Sequence, residues 1–170
     1  MVPRIVIVGG GFGGAYCARQ LERSLGAGEV DVLLIDRKNY FTFSPLLVEA
    51  GTGSLQPRHA VVSLRSFLRR ARFRMAQVEA VDLAARTLAV QAGDGQPVPA
   101  IVPFDHLVIA LGSVTKKADV PGVAEHAFEM KSLTDAVALR DRAIQMLELA
   151  DATTDDVTRR AILHFVVVGG

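Results

Sequence analysis

Three glycines, Gly9, Gly11 and Gly14, stand at G-x-G-x-x-G spacing between the apolar run Ile5 to Val8 and the helix-forming stretch Ala15 to Leu25. The chemistry this offers belongs to the backbone. A strand that turns on glycines into a helix leaves unpaired N–H groups and the positive end of the helix dipole facing out of the turn. A pyrophosphate can be held there without any cationic side chain. Glycine permits, in turn, the tight bend, the close approach of backbone to phosphate and the close packing of helix on strand. Such a glycine-rich connection can also be only a turn, so its surroundings decide. A second apolar run, Val30 to Ile35, ends at Asp36, about 20 residues beyond Gly14, where a βαβ unit places the acceptor for the ribose hydroxyls of an adenine dinucleotide. Arg37 could meet a 2′-phosphate, but the Asp36 carboxylate would repel one. The unphosphorylated ribose of FAD or NAD is the expected guest.

The elements that must hold this turn are a buried strand, a helix with Ala18, Leu21 and Leu25 on one face, and a second buried strand. A chain of 170 residues, 50% hydrophobic and 22% charged, can bury the core they need. A net charge of +1 indicates no general attraction to nucleic acid or anionic lipid, and the Arg65 to Arg74 cluster reads as a solvated helix face. No apolar run is long enough to cross a bilayer and no signal-peptide pattern opens the chain, so a cytoplasmic location is expected. The single cysteine, Cys17, excludes an internal disulfide framework and reads as a small buried thiol. His59, His106, His126 and His164 are scattered without metal-ligand spacing. No metal ligand, catalytic acid, base or nucleophile is nominated.

After Asp36, residues 37–53 read as a loop with a short helix near Pro45 to Ala50, whose apolar groups could cover a flat ring or simply pack. Val61 to Arg70 has the spacing of a surface helix. From Phe73 the pattern changes to short strands, Phe73 to Val81, Thr87 to Gln91 and Val98 to Val102, with turns at Asp82 to Arg86 and Gly93 to Gly95. This predicts an antiparallel meander, followed by a buried strand from His106 to Leu111 that ends at Gly112, where backbone can again approach a ligand. Lys116, Lys117, Pro121 and Gly122 suggest a break in organisation. A helix is predicted over Ser132 to Asp151, started by Ser132 and Asp135 and striped by Val137, Ile144 and Leu147. Ala161 to Gly170 repeats the opening pattern of strand into glycines and predicts a truncated second nucleotide turn.

Taken together, Ile5 to Gly14, Asn39 to Leu47 with Gly51 to Gly53, Phe104 to Ser113, Val120 to Phe128, Lys131 to Ala136 and Phe165 to Gly170 resemble the N-terminal part of a type II NADH:quinone dehydrogenase, a two-dinucleotide-binding FAD/NAD flavoprotein. The resemblance implies an α/β fold: a Rossmann-like FAD-binding domain with a parallel sheet and antiparallel meander over 1–115, incomplete, and over 116–170 connecting helices and the first strand of an NADH-binding domain. It implies that Gly9, Gly11, Phe12, Gly13 and Gly14 surround the FAD pyrophosphate, that Asp36, with Arg37 beside it, meets the adenosine ribose, and that Pro45 and Leu46 border the isoalloxazine. It further implies that Val78 meets the adenine side through its backbone and that Ala110, Leu111 and Gly112 close over the cofactor. Asp36 stands where many relatives carry Glu, and Leu111 where Thr is usual. The implied activity is electron transfer from NADH to a membrane quinone, with the fragment alone inactive, a peripheral membrane contact through regions absent here, a location at the inner face of the cell membrane, and possible homodimerisation. Alternatives are a related reductase with another donor or acceptor, of the sulfide:quinone type, which the lone cysteine disfavours, or of the ferredoxin type, and a non-catalytic dinucleotide-binding module.

Overall fold

In chain order the elements are β1 (Arg4–Val8), α1 (Phe12–Ser24), β2 (Asp31–Asp36), β3 (Tyr40–Thr42), α2 (Leu47–Thr52), β4 (Val61–Ser63), α3 (Leu64–Phe67), β5 (Arg72–Asp82), β6 (Thr87–Ala92), β7 (Ala100–Pro103), β8 (His106–Ile109), α4 (Val123–His126), α5 (Leu133–Ala152) and α6 (Asp156–Ile162). Short 3-10 turns precede α2 at Ser44–Leu46 and β4 at Pro57–Ala60. This computed structural model describes residues 2–92, 100–116 and 119–168. The expected turn at Gly93 to Gly95, the start of the strand at Val98, Lys117 and the final Gly169 and Gly170 lie outside the described residues. Two units emerge, Met1–Phe43 with Val61–Val114, and Ser44–Ala60 with Thr115–Gly170.

The first unit is built on a six-stranded sheet in the order β7-β6-β5-β2-β1-β8. β5, β2, β1 and β8 run parallel, and β6 and β7 continue from β5 antiparallel. Ile5 to Val8 of β1 and Val32 to Ile35 of β2 are unbroken apolar runs because both faces of these strands are covered. Alternate residues divide between two cores. Val6, Val8, Leu33 and Ile35 join Leu88, Val90, Val102 and Phe104 of the meander side, whereas Ile7, Leu34 and Val32 join Ala15 and Ala18 of α1 with Phe41, Leu64 and Leu68. The mixed α/β architecture expected from the sequence is therefore present. Arg86, the last residue of the β5–β6 turn, has φ +52, and its carbonyl accepts from Phe104 N–H at 2.9 Å.

Three local expectations are corrected. Val61 to Arg70 is not one helix: Val61–Ser63 pairs antiparallel with Tyr40–Thr42, and only Leu64–Phe67 is helical. β-branched Val61 and Val62 favour the extended partner that β3 supplies, so part of the expected loop after Asp36 is also strand. In α5 two of the three residues named for an apolar stripe are not packed: Ile144 and Leu147 are exposed, Val137 is half-buried, and the buried residues are Ala136 and Ala150. At the C-terminal end, Ala161 and Ile162 close α6, and Phe165 to Val168 are exposed and form no strand among the described residues.

Helix α1 is fastened to the segment before β5 by a charge that the sequence reading passed over. Glu22 is buried, and its Oε1 accepts from the N–H groups of Arg69 (2.8 Å), Arg70 (2.6 Å) and Ala71 (2.6 Å), while Oε2 accepts from Arg19 Nη1 at 3.0 Å. The Arg70 guanidinium returns to the Glu22 carbonyl and, at 2.7 Å, to that of Leu25. Burial pushes the Glu22 carboxyl up, but the N–H groups of Ala71 and Arg70, the Arg19 guanidinium and the Arg69 N–H outweigh it and hold the group below its ordinary range. A folded-state pKa below the unfolded one gives stability that is full above the unfolded value, about 4.3, and is lost as pH falls through the folded value. Glu22→Gln is expected to lower stability by about 1–3 kcal/mol at neutral pH and to flatten this acid limb, as read by chemical denaturation between pH 3 and 7.

In the second unit α2 packs on α5. α5 begins as expected: Ser132 Oγ accepts from Asp135 N–H, and the Asp135 carboxylate accepts from Ser132 N–H at 2.7 Å, a capping box that fixes the helix start. No helix of the described residues is long and apolar enough to cross a membrane.

Candidate dinucleotide site

Strand order reverses at β1, which has β2 on one side and β8 on the other. In open parallel sheets the crevice beyond the carboxyl ends of the strands at such a switch point is where ligands bind. The glycine turn leaves β1 there. Gly9 N–H donates to the Ile35 carbonyl at 2.8 Å, and Ala110 N–H donates to the Val8 carbonyl at 2.8 Å, so the turn starts locked between β2 and β8.

Two of the three motif glycines have a steric reason within the fold. Gly9 has φ +107, and a Cβ on it would strike the Ala110 carbonyl, with Ala110 C at 2.7 Å and Leu111 N at 3.1 Å. A Cβ on Gly14 would strike the Gly9 carbonyl oxygen and come within 3.2 Å of Ile7 Cγ2. Gly14 is thus where α1 crosses closest over β1. Gly11 differs, because a Cβ there would meet nothing within 4 Å, and one on Gly13 would only touch Ala110 Cβ at 3.7 Å. Open space lies in front of Gly11, at the N-cap of a 13-residue helix that no side chain caps. The first-turn N–H groups and the helix dipole are therefore directed at a cradle without a Cβ wall, which suits a diphosphate.

Asp36 closes β2 and turns toward this turn. Its Oδ2 accepts from Gly10 N–H at 2.5 Å and its Oδ1 from Lys38 N–H at 2.7 Å. Both oxygens keep a further lone pair for hydroxyl donors. Arg37 is exposed beside it. Phe12 opens α1 half exposed, its ring edge-on to Phe41 with centroids 4.7 Å apart and tilted on Phe43 at 5.8 Å. Beyond Ala110, Leu111 and Gly112 are exposed, and Gly112 has φ +70. β2 pairs with β5 only as far as Met75, so among the described residues Val78, opposite Val90 in β6, has no strand partner on its β2 side.

The sequence pattern described as pyridine nucleotide-disulphide oxidoreductase matches residues 3–170. The chain belongs to this family. As a member of the pyridine nucleotide-disulphide oxidoreductases it is 35% identical over 169 residues to the type II NADH:quinone oxidoreductase NdhA of Mycobacterium tuberculosis, covering 98% of this chain and 34% of that protein. It is 30% identical to the mitochondrial external alternative NADH-ubiquinone oxidoreductase of Yarrowia lipolytica, with 98% and 29% covered. Among solved structures, NDH2 from Plasmodium falciparum in complex with NADH superposes with a TM-score of 0.80 at 25% identity, covering 94% of this chain and 32% of that one. The resemblance read from the sequence is met by these likenesses. The chain spans about a third of the length of the relatives it matches.

Within this pyridine nucleotide-disulphide oxidoreductase chain, Gly9, Gly11, Phe12, Gly13, Gly14, Asp36, Arg37, Val78, Ala110, Leu111 and Gly112 all fall in the first unit, whereas Pro45 and Leu46 fall in the second. There Pro45 is exposed within the turn Ser44–Leu46, and Leu46 is half-buried as the N-cap of α2. Sequence reasoning missed Gly10, whose N–H is what Asp36 holds, and the Phe41 ring behind Phe12. His59, His106, His126 and His164 are all exposed, and Cys17 is partly buried against the α1 core.

Proposed function

We propose that this chain is the N-terminal part of an FAD-dependent oxidoreductase that passes electrons from NADH to a membrane quinone. The observation that carries this reading is the open cradle at Gly11, bounded by Gly9 and Gly14 where only hydrogen fits and by Asp36 anchored to Gly10. The family and the two NADH:quinone relatives support it. FAD, when bound, supplies a ring that accepts hydride and gives up two electrons. Gly9, its N–H held by Ile35, shapes the turn, Gly11, Phe12, Gly13 and Gly14 hold the diphosphate by backbone N–H groups, and Asp36, flanked by Arg37, accepts from the adenosine ribose. Val78 meets the adenine by its backbone, Pro45 and Leu46 border the ring, and Ala110, Leu111 and Gly112 cover the cofactor and exclude water. None of these side chains moves a proton.

In this reading residues 1–115 are the flavin domain and 116–170 lead into the NADH-binding part. In this reading the protein also attaches peripherally at the inner face of the cell membrane and forms a homodimer. The test is a visible-absorption titration of the 170-residue chain with FAD, followed by NADH and a quinone analogue. Weak, reversible perturbation of the flavin bands without NADH oxidation is expected. No perturbation at any FAD concentration would overturn the proposal, and tightly retained flavin with NADH turnover would overturn the expectation that these residues alone are inactive.

A further inference from the structure

Two residues of the hairpin formed by β3, β4 and the short α3 reach the glycine turn from the same side as α1. Leu64, the first residue of α3, brings its Cδ1 so near Gly10 that a Cβ there would lie 2.6 Å from it. Phe41, at the centre of β3, meets Phe12 edge-on at 4.7 Å and 88°. Gly10 and Phe12 are the residues on either side of Gly11. The hairpin therefore grips the turn at both ends of the cradle.

Of the two grips, Phe41 is the better built. It is 4% exposed, packed with Ile7, Ala15, Ala18 and Leu34, and paired across the hairpin with Val62. Its ring also contacts Tyr16 one helical turn on (6.2 Å) and stacks on Phe67 of α3 (6.4 Å). An edge-to-face aromatic contact is directional as well as apolar, so it restrains the tilt of its partner and not only the distance. Phe12 is the first helical residue and is otherwise half exposed, with glycines on both sides of it in Gly11, Gly13 and Gly14. A first turn so rich in glycine has little conformational stiffness of its own. Something outside the turn must fix where its N–H groups point.

We infer that Phe41 is a positioning residue for the nucleotide: through the ring of Phe12 it sets the direction of the α1 first-turn N–H groups and so the affinity for the diphosphate. It touches no ligand itself. The inference rests on the functional reading above, that the cradle takes the diphosphate of an adenine nucleotide. It goes beyond that reading by tying affinity to a buried aromatic contact behind the site.

The probe is ADP, which carries adenosine and diphosphate without the flavin ring, titrated calorimetrically into the 170-residue chain and its variants. Phe41→Leu and Phe12→Leu are each expected to weaken ADP about tenfold, and the double variant to be no weaker than either single one, a coupling of the kind shown by residues acting through one contact. Phe41→Met, which keeps most of the volume but not the flat edge, guards against loss of fold in the leucine variant and is expected to weaken ADP while retaining a cooperative thermal transition. Phe41→Tyr, keeping the ring, should bind ADP within about twofold of the parent. Unchanged ADP affinity in Phe41→Leu and Phe41→Met, or strictly additive losses in the double variant, would overturn the inference while leaving the cradle intact. Absence of ADP binding by the unaltered chain would overturn the functional reading, and the inference with it.

Discussion

Gly14→Ala is expected to disrupt the fold, and Gly11→Ala to leave it nearly untouched while removing nucleotide binding. The difference follows from what each added methyl would meet. At Gly14 it runs into the Gly9 carbonyl, with Gly9 C at 3.0 Å and Ile7 Cγ2 at 3.2 Å. Backbone cannot rotate away as a side chain can, so α1 must lift from β1 and loosen the core of Ile7, Ala15, Ala18 and Leu34. Overpacking of this kind costs about 1–3 kcal/mol, and more where backbone is the obstacle. At Gly11 the methyl meets nothing within 4 Å, and its φ of −76° is open to any residue. Alanine at an N-cap costs less than about 1 kcal/mol relative to glycine. Yet that methyl stands where the diphosphate is proposed to lie, so FAD affinity should fall by more than about tenfold, equivalent to about 1.4 kcal/mol. Thermal denaturation paired with flavin titration separates the two variants. Equal loss of stability in both would mean that Gly11 is only part of a packed turn.

Asp36 is expected to give the second largest effect. Its carboxylate joins two backbone segments, Gly10 in the turn and Lys38 after β2, by short charge-assisted bonds of 2.5 and 2.7 Å. Bonds to a charged group are worth about 1.5–3 kcal/mol, and Gly10 is buried, so losing its acceptor strands an N–H away from water. Asp36→Ala should therefore lower stability by about 2 kcal/mol and abolish measurable adenosine binding. Asp36→Asn retains one acceptor oxygen but must turn an NH2 toward one of two donors. It should lose less stability than alanine and still weaken FAD more than about tenfold, because the charge that draws the ribose hydroxyls is gone. If Asp36→Asn binds FAD as tightly as the parent, the carboxylate serves the turn alone.

What could be read in the sequence was what local chemistry writes down. The turn from Val8 to Gly14 and the acid at the end of β2 sit on one contiguous βαβ unit, so spacing alone set them together. The meander followed from short alternating strands, and the start of α5 from Ser132 and Asp135, three residues apart. What failed was decided by distant partners. Val61 and Val62 are extended because Tyr40 to Thr42 lies beside them, which a helical spacing of Val61, Leu64 and Leu68 cannot reveal. Nothing in the helix around Glu22 marks it as buried, because its three N–H partners arrive only 47–49 residues later in the chain. Phe41 read as a loop aromatic for the same reason. In α5 the packed surface falls on Ala136 and Ala150, small residues that hydrophobic spacing underweights against Ile144 and Leu147.

In the proposed reading the backbone between Gly9 and Gly14, with Asp36, holds the adenosine diphosphate half of FAD. Amide proton–nitrogen spectra of the chain recorded during an FAD titration test it most directly, because they report on those N–H groups one by one. The largest shifts are expected on Gly10, Gly11, Phe12, Gly13 and Gly14, with Arg37 and Lys38 following, and all should saturate together. Saturable shifts confined to other residues, with these amides unmoved, would contradict it.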